Sequence, residues 1–543
     1  MFNAGGGANN QDITQESLTF KNDLTFNEVE WMGRHTIKLG LKYSMQEYFV
    51  AKEFNRNPFY TYDIDGRAET IGSTTIPTQV TLALPVAPTR AENNVFGIYV
   101  QDDWQITDQL ELNLGIRWDY EDNAVNNDYV TPPDIQRFIS ALAAHPNYVA
   151  RVNLADYIST DGRDAFMGAI QPRIGFSYDI FGDEQTVLFG GAGRYYDRIG
   201  FNFAFSERFG PQNRTKTIYF SPSGGAYGGQ TSTVAWDPIY ATRDGLDSLL
   251  AGTVGTGEVF LVKNEAKVPY TDQFNLGIRQ KFGGIQTSLT FSYAKTRNEF
   301  GWYRLNVNDA NAVVIPLPSL IDPDTGSQFP YRNAFYSDHG REREYQAIYL
   351  QIDKPYSAEA GYGFNIAYTY AEATQNGSRD QGLSNFDFDY PSISATPTFN
   401  SPGTDRHRLV MSGRVDLPWD FRLSSLITLA SGKPFTAFNP GSGGKPLWFE
   451  FYPEKHSFII PNAWAYRQVD LRLAREFRVV DDQIVEFTLD AINVFNFENY
   501  SSFNQTYRVN NGTPDAALNP TFGTPTAQFL PTRSFQVGLR YRW

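Results

Sequence analysis

LELNLGIRWDY, residues 110–120, alternates without a break. Leu110, Leu112, Leu114, Ile116, Trp118 and Tyr120 fall on one face of an extended strand; Glu111, Asn113, Gly115, Arg117 and Asp119 fall on the other. A period of two with one apolar and one polar face reads as a β-strand between two unlike environments. Strands in soluble sheets run to roughly 5–6 residues, whereas a tilted strand that crosses a bilayer needs roughly 9–11. This stretch has the longer format.

The same pattern spreads outward in pairs. VFGIYVQDDWQI (95–106) lies just before it, across the tight turn TDQ. LTFKNDLTF (18–26) precedes HTIKLGLKYSM (35–45), PRIGFSYDI (172–180) precedes TVLFGGAGRYY (186–196), and DQFNLGIRQKF (272–282) meets IQTSLTFSYA (285–294) across Gly283 and Gly284. EYQAIYLQIDK (344–354) with YGFNIAYTYAE (362–372), HRLVMSGRVDL (407–417) with FRLSSLITLA (421–430), and QVDLRLAREF (468–477) with QIVEFTLDAI (483–492) continue it; SFQVGLRYRW (534–543) closes the series unpaired. The count is about fifteen strands. Short turns alternate with long connections rich in Gly, Asn, Ser, Pro, Tyr and Phe. A soluble sandwich also alternates, but repeated long structureless loops count against a compact soluble domain. A propeller or solenoid would repeat at a fixed period, and none is visible. The pattern predicts an all-β, antiparallel up-and-down transmembrane barrel with short periplasmic turns and long extracellular loops.

Composition agrees. Aromatic residues make up 15% of the 543 residues, yet mean hydropathy is −0.41. No run of about 18 apolar residues marks a transmembrane helix. The absence of cysteine excludes disulfides and thiolate metal sites, and a net charge of −14 argues against nucleic acid as a partner. MFNAGGGANNQDITQ has no basic start and no apolar core, so no signal peptide is read there. An outer-membrane destination then requires that the sequence be a mature form or a fragment.

The terminal strand carries a second message. Gln536, Gly538, Tyr541 and Trp543 resemble the C-terminal β-signal of outer-membrane proteins, which the barrel-assembly machinery reads. YVQDDWQITDQLELNLGIRWDY (99–120), GRHTIKLGLKYS (33–44), PRIGFSYDIFGDEQTVLFGGAGRYYDR (172–198), DRHRLVMSGRVDLPWDFRLSSLITLASGKPFT (405–436) and DAINVFNFENY (490–500) resemble TonB-dependent outer-membrane receptors, especially the Oar-like group, over nearly the whole chain. The strongest boxes are Tyr99-Val-Gln101-Asp102-Asp103-Trp104, Ser431-Gly432-Lys433-Pro434-Phe435 and Asn493-Val-Phe495-Asn496. A full receptor of this kind has a signal peptide, a TonB box, a plug domain and about 22 strands. None of the first three is visible here. The resemblance therefore implies that residues 1–543 form one partial barrel domain, the C-terminal part of such a receptor.

Candidate chemistry is thin. His35, His145, His339, His407 and His456 are scattered, and none pairs at metal-ligand spacing. Asp322-Pro-Asp324-Thr-Gly326 lacks the downstream ligands of a calcium loop and reads as a turn. Gly190, Gly191 and Gly193 open no helix, so they fit a strand bend or a close backbone approach better than a phosphate loop. No nucleophile elbow is present. The expectation is no enzyme, no catalytic or metal site and no cofactor. What the resemblance implies is an importer of a scarce or large ligand, such as a carbohydrate or siderophore, with outer-membrane lipid, the assembly machinery, the TonB system (through a plug outside this chain) and an extracellular ligand as partners. A plug-less porin or adhesin is the alternative. A secreted β-rich binding protein is a third reading.

Overall fold

A computed structural model describes every residue except 1, 6–8, 55–56, 63–75, 85, 201–203, 228, 251–254, 310–311, 378–389, 402, 434, 439–445, 452–464, 481–482, 508–516 and 530–531. Fifteen strands form one wall: β1 Asn9–Glu30, β2 Arg34–Phe54, β3 Thr89–Gln105, β4 Leu110–Glu121, β5 Ala169–Asp179, β6 Thr186–Tyr196, β7 Tyr270–Phe282, β8 Ile285–Arg304, β9 Tyr331–Ser357, β10 Tyr362–Gln375, β11 His407–Leu417, β12 Phe421–Ala430, β13 Tyr466–Arg478, β14 Ile484–Ile492 and β15 Ser534–Arg542. Each pairs antiparallel with the next. Among the described residues no pairing joins β1 to β15, so the wall has two free edges.

The register sorts the side chains. Leu24, Leu39, Val100 and Ile116 stand opposite one another across β1 to β4, and Leu276, Phe291, Ile348 and Tyr370 do so across β7 to β10. One residue along, Lys38, Gln101, Gly115, Arg173, Gly193 and Gln273 form a row on the opposite face. The apolar face is not covered by protein: Ile116 is 48% exposed, Ile174 53% and Leu289 49%. An apolar surface of that extent marks a membrane or a partner. Aromatic residues edge it at both ends. Trp118 stacks on Tyr120 at the long-loop end, while Trp31 and Trp104 stand at the short-turn end.

Two expectations change in extent. β1, β2 and β9 run well past the stretches readable by alternation, because beyond the apolar band the outward face has no reason to stay apolar. The long connections are also not structureless. They carry α1 Pro133–Ala143, α2 Arg243–Leu250 and, joined by Phe2–Gly5 from ahead of β1, a six-stranded sheet completed by Phe59–Tyr62, Gln79–Ala83, Thr215–Ser221, Gly225–Tyr227 and Gln230–Ala235. α1 begins with proline at its first turn and Asp134 beside it, which suits a helix start. Its Ile135, Phe138, Ile139 and Leu142 follow helical spacing and are buried. Phe138 packs edge-on against Phe329 and Tyr331, 5.4 and 4.9 Å between ring centres. Tyr303, Leu305, Ile315, Leu317 and Tyr336 complete that core. A second core joins Val80, Leu82, Ile218 and Phe220 of the small sheet to Leu246 and Leu250 of α2. The long connections thus fold into a cap over one end of the wall.

Candidate functional site

The surfaces available for function are the polar face of the wall and the cap. The box Tyr99 to Trp104 straddles both faces of β3. Tyr99, Gln101 and Asp103 point to the polar side. The Tyr99 hydroxyl donates to Asp23 (2.8 Å), Gln101 Nε2 to Asp103 (3.0 Å) and Lys38 Nζ to Asp103 (2.8 Å). Asp102 and Trp104 point to the apolar side. There His35 sits between the Trp31 and Trp104 rings, 5.9 and 5.2 Å from their centres. Its Nδ1 lies 2.8 Å from Asp102 Oδ2 and its Nε2 lies 2.6 Å from the Trp31 carbonyl. The Trp104 indole donates to the Met32 carbonyl (3.0 Å). The outward-facing pair is thereby flanked by aromatic rings and bonded through Asp102 Oδ2, while Asp102 Oδ1 is buried without a hydrogen-bond partner. The box ties β1, β2 and β3 together; none of its residues holds a reactive arrangement.

The polar face contains a notch of about 200 Å³ lined by Gln101, Asn113, Arg173, Gly191, Tyr195 and Asn275, among others. Gly175 and Gly191 face one another across β5 and β6 and leave it open. Arg173 lies over the Tyr195 ring, 4.4 Å from its centre. Further along, Arg472 pairs with Asp490 (2.5 Å) and Arg542 with Glu476 (2.6 Å). The face is polar and carries charges of both signs.

The cap is held by a buried ion pair. Arg163 Nη2 donates to Glu207 Oε1 (2.7 Å), and Arg163 Nη1 to Glu207 Oε2 (2.9 Å). The Val262 N–H (3.1 Å) and the Asn126 amide (3.2 Å) also donate to Glu207. Burial pushes the Glu207 carboxyl above its usual range, and the Arg163 guanidinium pulls it back. Beside the pair opens a polar cavity of about 580 Å³, lined by residues 158–167 and 264–267. Neither Arg163 nor Glu207 is visible from sequence, because nothing local ties positions in two different loops.

The remaining candidates fall as follows. Asn493 clasps its own turn: its amide donates to the Phe497 carbonyl (2.9 Å), its Oδ1 accepts from the Phe497 N–H (2.9 Å), and its N–H reaches Asp470 (2.8 Å). Asn496 Oδ1 accepts from the Arg533 N–H (3.2 Å), at the entry to the last strand. Both asparagines have positive φ, 49° and 55°, which asparagine tolerates better than most residues. Phe495 is exposed and packs on Phe497. In β15, Gln536 pairs with Asp490, Gly538 with Thr488 and Tyr541 with Val485, while Trp543 lies against Tyr541 (5.7 Å). Asp322 accepts from Arg137 (3.0 Å), and the Gly326 N–H returns to its carbonyl (2.9 Å), a turn. His407 Nδ1 lies 2.8 Å from the Tyr368 hydroxyl. His456 and Pro434 lie outside the described residues. Among the described residues no cluster of three or more His, Asp or Glu could hold a metal.

An up-and-down antiparallel wall, bare and apolar outside and polar inside, is the wall of a transmembrane β-barrel. The chain belongs to the outer membrane beta barrel domain family, matched over residues 1–446. It is 22% identical to the TonB-dependent transporter Oar of Myxococcus xanthus over 94% of this chain and 49% of that protein. It superposes on the outer membrane transporter YddB of Escherichia coli with a TM-score of 0.56 at 12% identity, covering 97% of this chain and 54% of that one. A ferric enterobactin receptor of Pseudomonas aeruginosa gives a TM-score of 0.49 at 12% identity, with 97% and 54% covered. The chain therefore spans about half the length of the relatives it matches. Its place is the outer membrane of a Gram-negative bacterium. The apolar face meets lipid and the polar face lines the lumen; the short turns are periplasmic and the cap is extracellular.

Proposed function

We propose that the chain is the larger part of the barrel wall and the extracellular cap of a TonB-dependent receptor that imports a polar solute, such as a carbohydrate or a siderophore. The observation that carries this reading is a polar, charged lumen wall topped by a folded cap. A passive general pore gains nothing from a packed core and a buried ion pair over its mouth. In such a receptor TonB acts through a plug domain, which would belong to sequence outside these residues. The free edges of β1 and β15 support a larger barrel. Both strands run in the same direction, so antiparallel closure takes an odd number of further strands. Assembly through the machinery that reads Gln536 to Trp543 belongs to the same reading.

The test is solute depletion by cells producing the whole gene product, with and without TonB, followed by mass spectrometry of a mixture of glycans and ferric chelates. Depletion of a specific solute that disappears without TonB is the expected result. Depletion of every small solute regardless of TonB would establish the porin reading instead.

A further inference from the structure

The connection that follows β6 does not stay above the wall. Gln46 stands opposite Asn93, and Val95 opposite Glu121. Even steps along the strands put Gln46, Asn93 and Glu121 on the lumen face, in line with Lys38, Gln101 and Gly115. Asp197, just past the end of β6, still bonds back to the Pro269 carbonyl beside β7 (2.9 Å). Arg198 comes next. Its Nε and Nη2 donate to the two oxygens of Glu121 (2.5 and 2.9 Å), and Nη2 also donates to Gln46 Oε1 (2.9 Å). Four strand spacings, about 19 Å along the wall, separate β6 from β2, so these bonds cut across the inside of the mouth. The acceptors are held in advance: the Asn93 amide donates to Glu121 Oε2 (3.0 Å) and the Tyr48 hydroxyl to Gln46 Oε1 (3.2 Å).

Further along the same connection Phe205 and Phe209 are buried with Val50 and Ala91, and Tyr48 packs beside them. Tyr48, Val50 and Ala91 continue the lumen rows of β2 and β3 toward the cap. The helical turn Ser206–Phe209 therefore lies on the inner side of the wall. It is backed from the cap as well. Glu207 holds Arg163, and the Gly210 carbonyl accepts from the Glu258 N–H (3.1 Å). A Cβ at Gly210 would strike the Phe260 ring. Wall and cap core grip the segment between them. Elsewhere the lumen rows carry small uncharged side chains: across β9 to β11 Ala347 stands opposite Ala371, and Ala367 opposite Val410.

We propose that Arg198 and residues 204–213 form a fixed sill inside the mouth, which bars the β2–β4 side of the lumen to bulky solutes and leaves passage to the β9–β11 side. Arg198 is the positioning residue. Its planar fork fits the two oxygens of Glu121 at once, which fixes direction as well as distance. Phe205 and Phe209 fill with side chains the space that a solute would cross, and the width left open sets what a pore admits. The small side chains of β9 to β11 leave that width on the other side. The proposal rests on which face lines the lumen; it holds whether a solute is drawn in through TonB or diffuses.

Cysteine labelling on intact cells producing the whole gene product tests it, since residues 1–543 contain no cysteine of their own. Lys42→Cys places a thiol on the lumen row beneath the sill, and Thr369→Cys places one on the lumen row of β10. The probes are a small membrane-impermeant maleimide and the same group on a long polyethylene glycol. Adding Arg198→Ala with Phe205→Ala should speed the polymer's reaction at position 42 several-fold and leave position 369 unchanged, while the small probe changes little at either. Unchanged polymer labelling at position 42 would overturn the proposal. So would an equal rise at both positions, which would mean that the cap as a whole had loosened. If the double variant does not reach the surface, Glu121→Gln decides: it weakens the hold on Arg198 and leaves Phe205 and Phe209 in place, and no rise at position 42 refutes the sill.

Discussion

Tyr99 reaches over Gly40 on the neighbouring strand to donate its hydroxyl to Asp23, one strand further on (2.8 Å). A Cβ at Gly40 would overlap the ring and crowd the Asp23 carboxylate. The glycine is the recess in which the ring lies, and the phenol spans three strands in the lumen wall.

Gly40→Ala should therefore displace the ring and cost about 1–3 kcal/mol, the usual penalty for overpacking. Tyr99→Phe keeps the ring and removes the bond, for about 1 kcal/mol. The combined variant should cost less than the sum, because the alanine already breaks that bond. Urea titration of protein inserted in liposomes measures all three. Strict additivity would show that the recess serves something other than Tyr99.

Ile116 lies mid-strand on the lipid face between Val100 and Pro172. Ile116→Arg should destabilise the wall by about 2–4 kcal/mol, as cations do near the bilayer midplane. Asn113→Arg, in the lumen, should cost much less. Leu114 is a poorer probe, since it faces Asp102 across the pair and an arginine there gains a counter-ion. Equal penalties for Ile116→Arg and Asn113→Arg in the same titration would invert the two faces.

His339 is buried in the cap against Phe300 (5.3 Å), above the membrane. Burial, followed by the charge of Lys263, pushes its pKa down to about 4, against a smaller pull from the Lys267 backbone. The folded imidazole stays neutral between roughly pH 6.5 and 4 while the unfolded one gains a proton. Folding stability should then fall as pH falls through that window, by up to about 1.4 kcal/mol per pH unit. His339→Leu should show a shallower fall. Buried Glu207 and Asp338 have raised pKa values and act in the opposite sense, so the difference between wild type and variant is the quantity to follow. Parallel pH profiles would mean that His339 is solvated.

Trp543 is 89% exposed at the end of the free edge strand. Its deletion should cost little equilibrium stability, within the few tenths of a kcal/mol usual at surfaces. If it forms part of the assembly signal, insertion in cells should fall several-fold while refolding into detergent stays normal. Surface labelling of intact cells, set beside heat-modifiable migration of refolded protein, separates the two effects. Normal surface levels after the deletion would reduce Trp543 to ordinary packing.

The wall was legible in the sequence because lipid on one side and water on the other impose a period of two, and LELNLGIRWDY shows it without interruption. α1 was also within reach. Ile135, Phe138, Ile139 and Leu142 carry a helical period behind a proline start, but they sit inside a connection that reads as loop beside so many strands. The pairing of Arg163 with Glu207, or of His35 with Asp102, could not be read. Alternation assigns a residue to a face, and only the folded register decides which distant residue stands beside it.

β9 begins in the cap and ends in the membrane. Its outer half contributes Tyr331, Ala334, Phe335 and Tyr336 to the cap's interior, paired on one side with β8 and on the other, in parallel, with Gly257–Leu261. Its inner half is lumen wall. Roof and wall therefore share one strand, and its pairing with β8 shifts register between Thr296 and Gly301, where wall passes into cap. The cap cannot move against the wall without bending that strand.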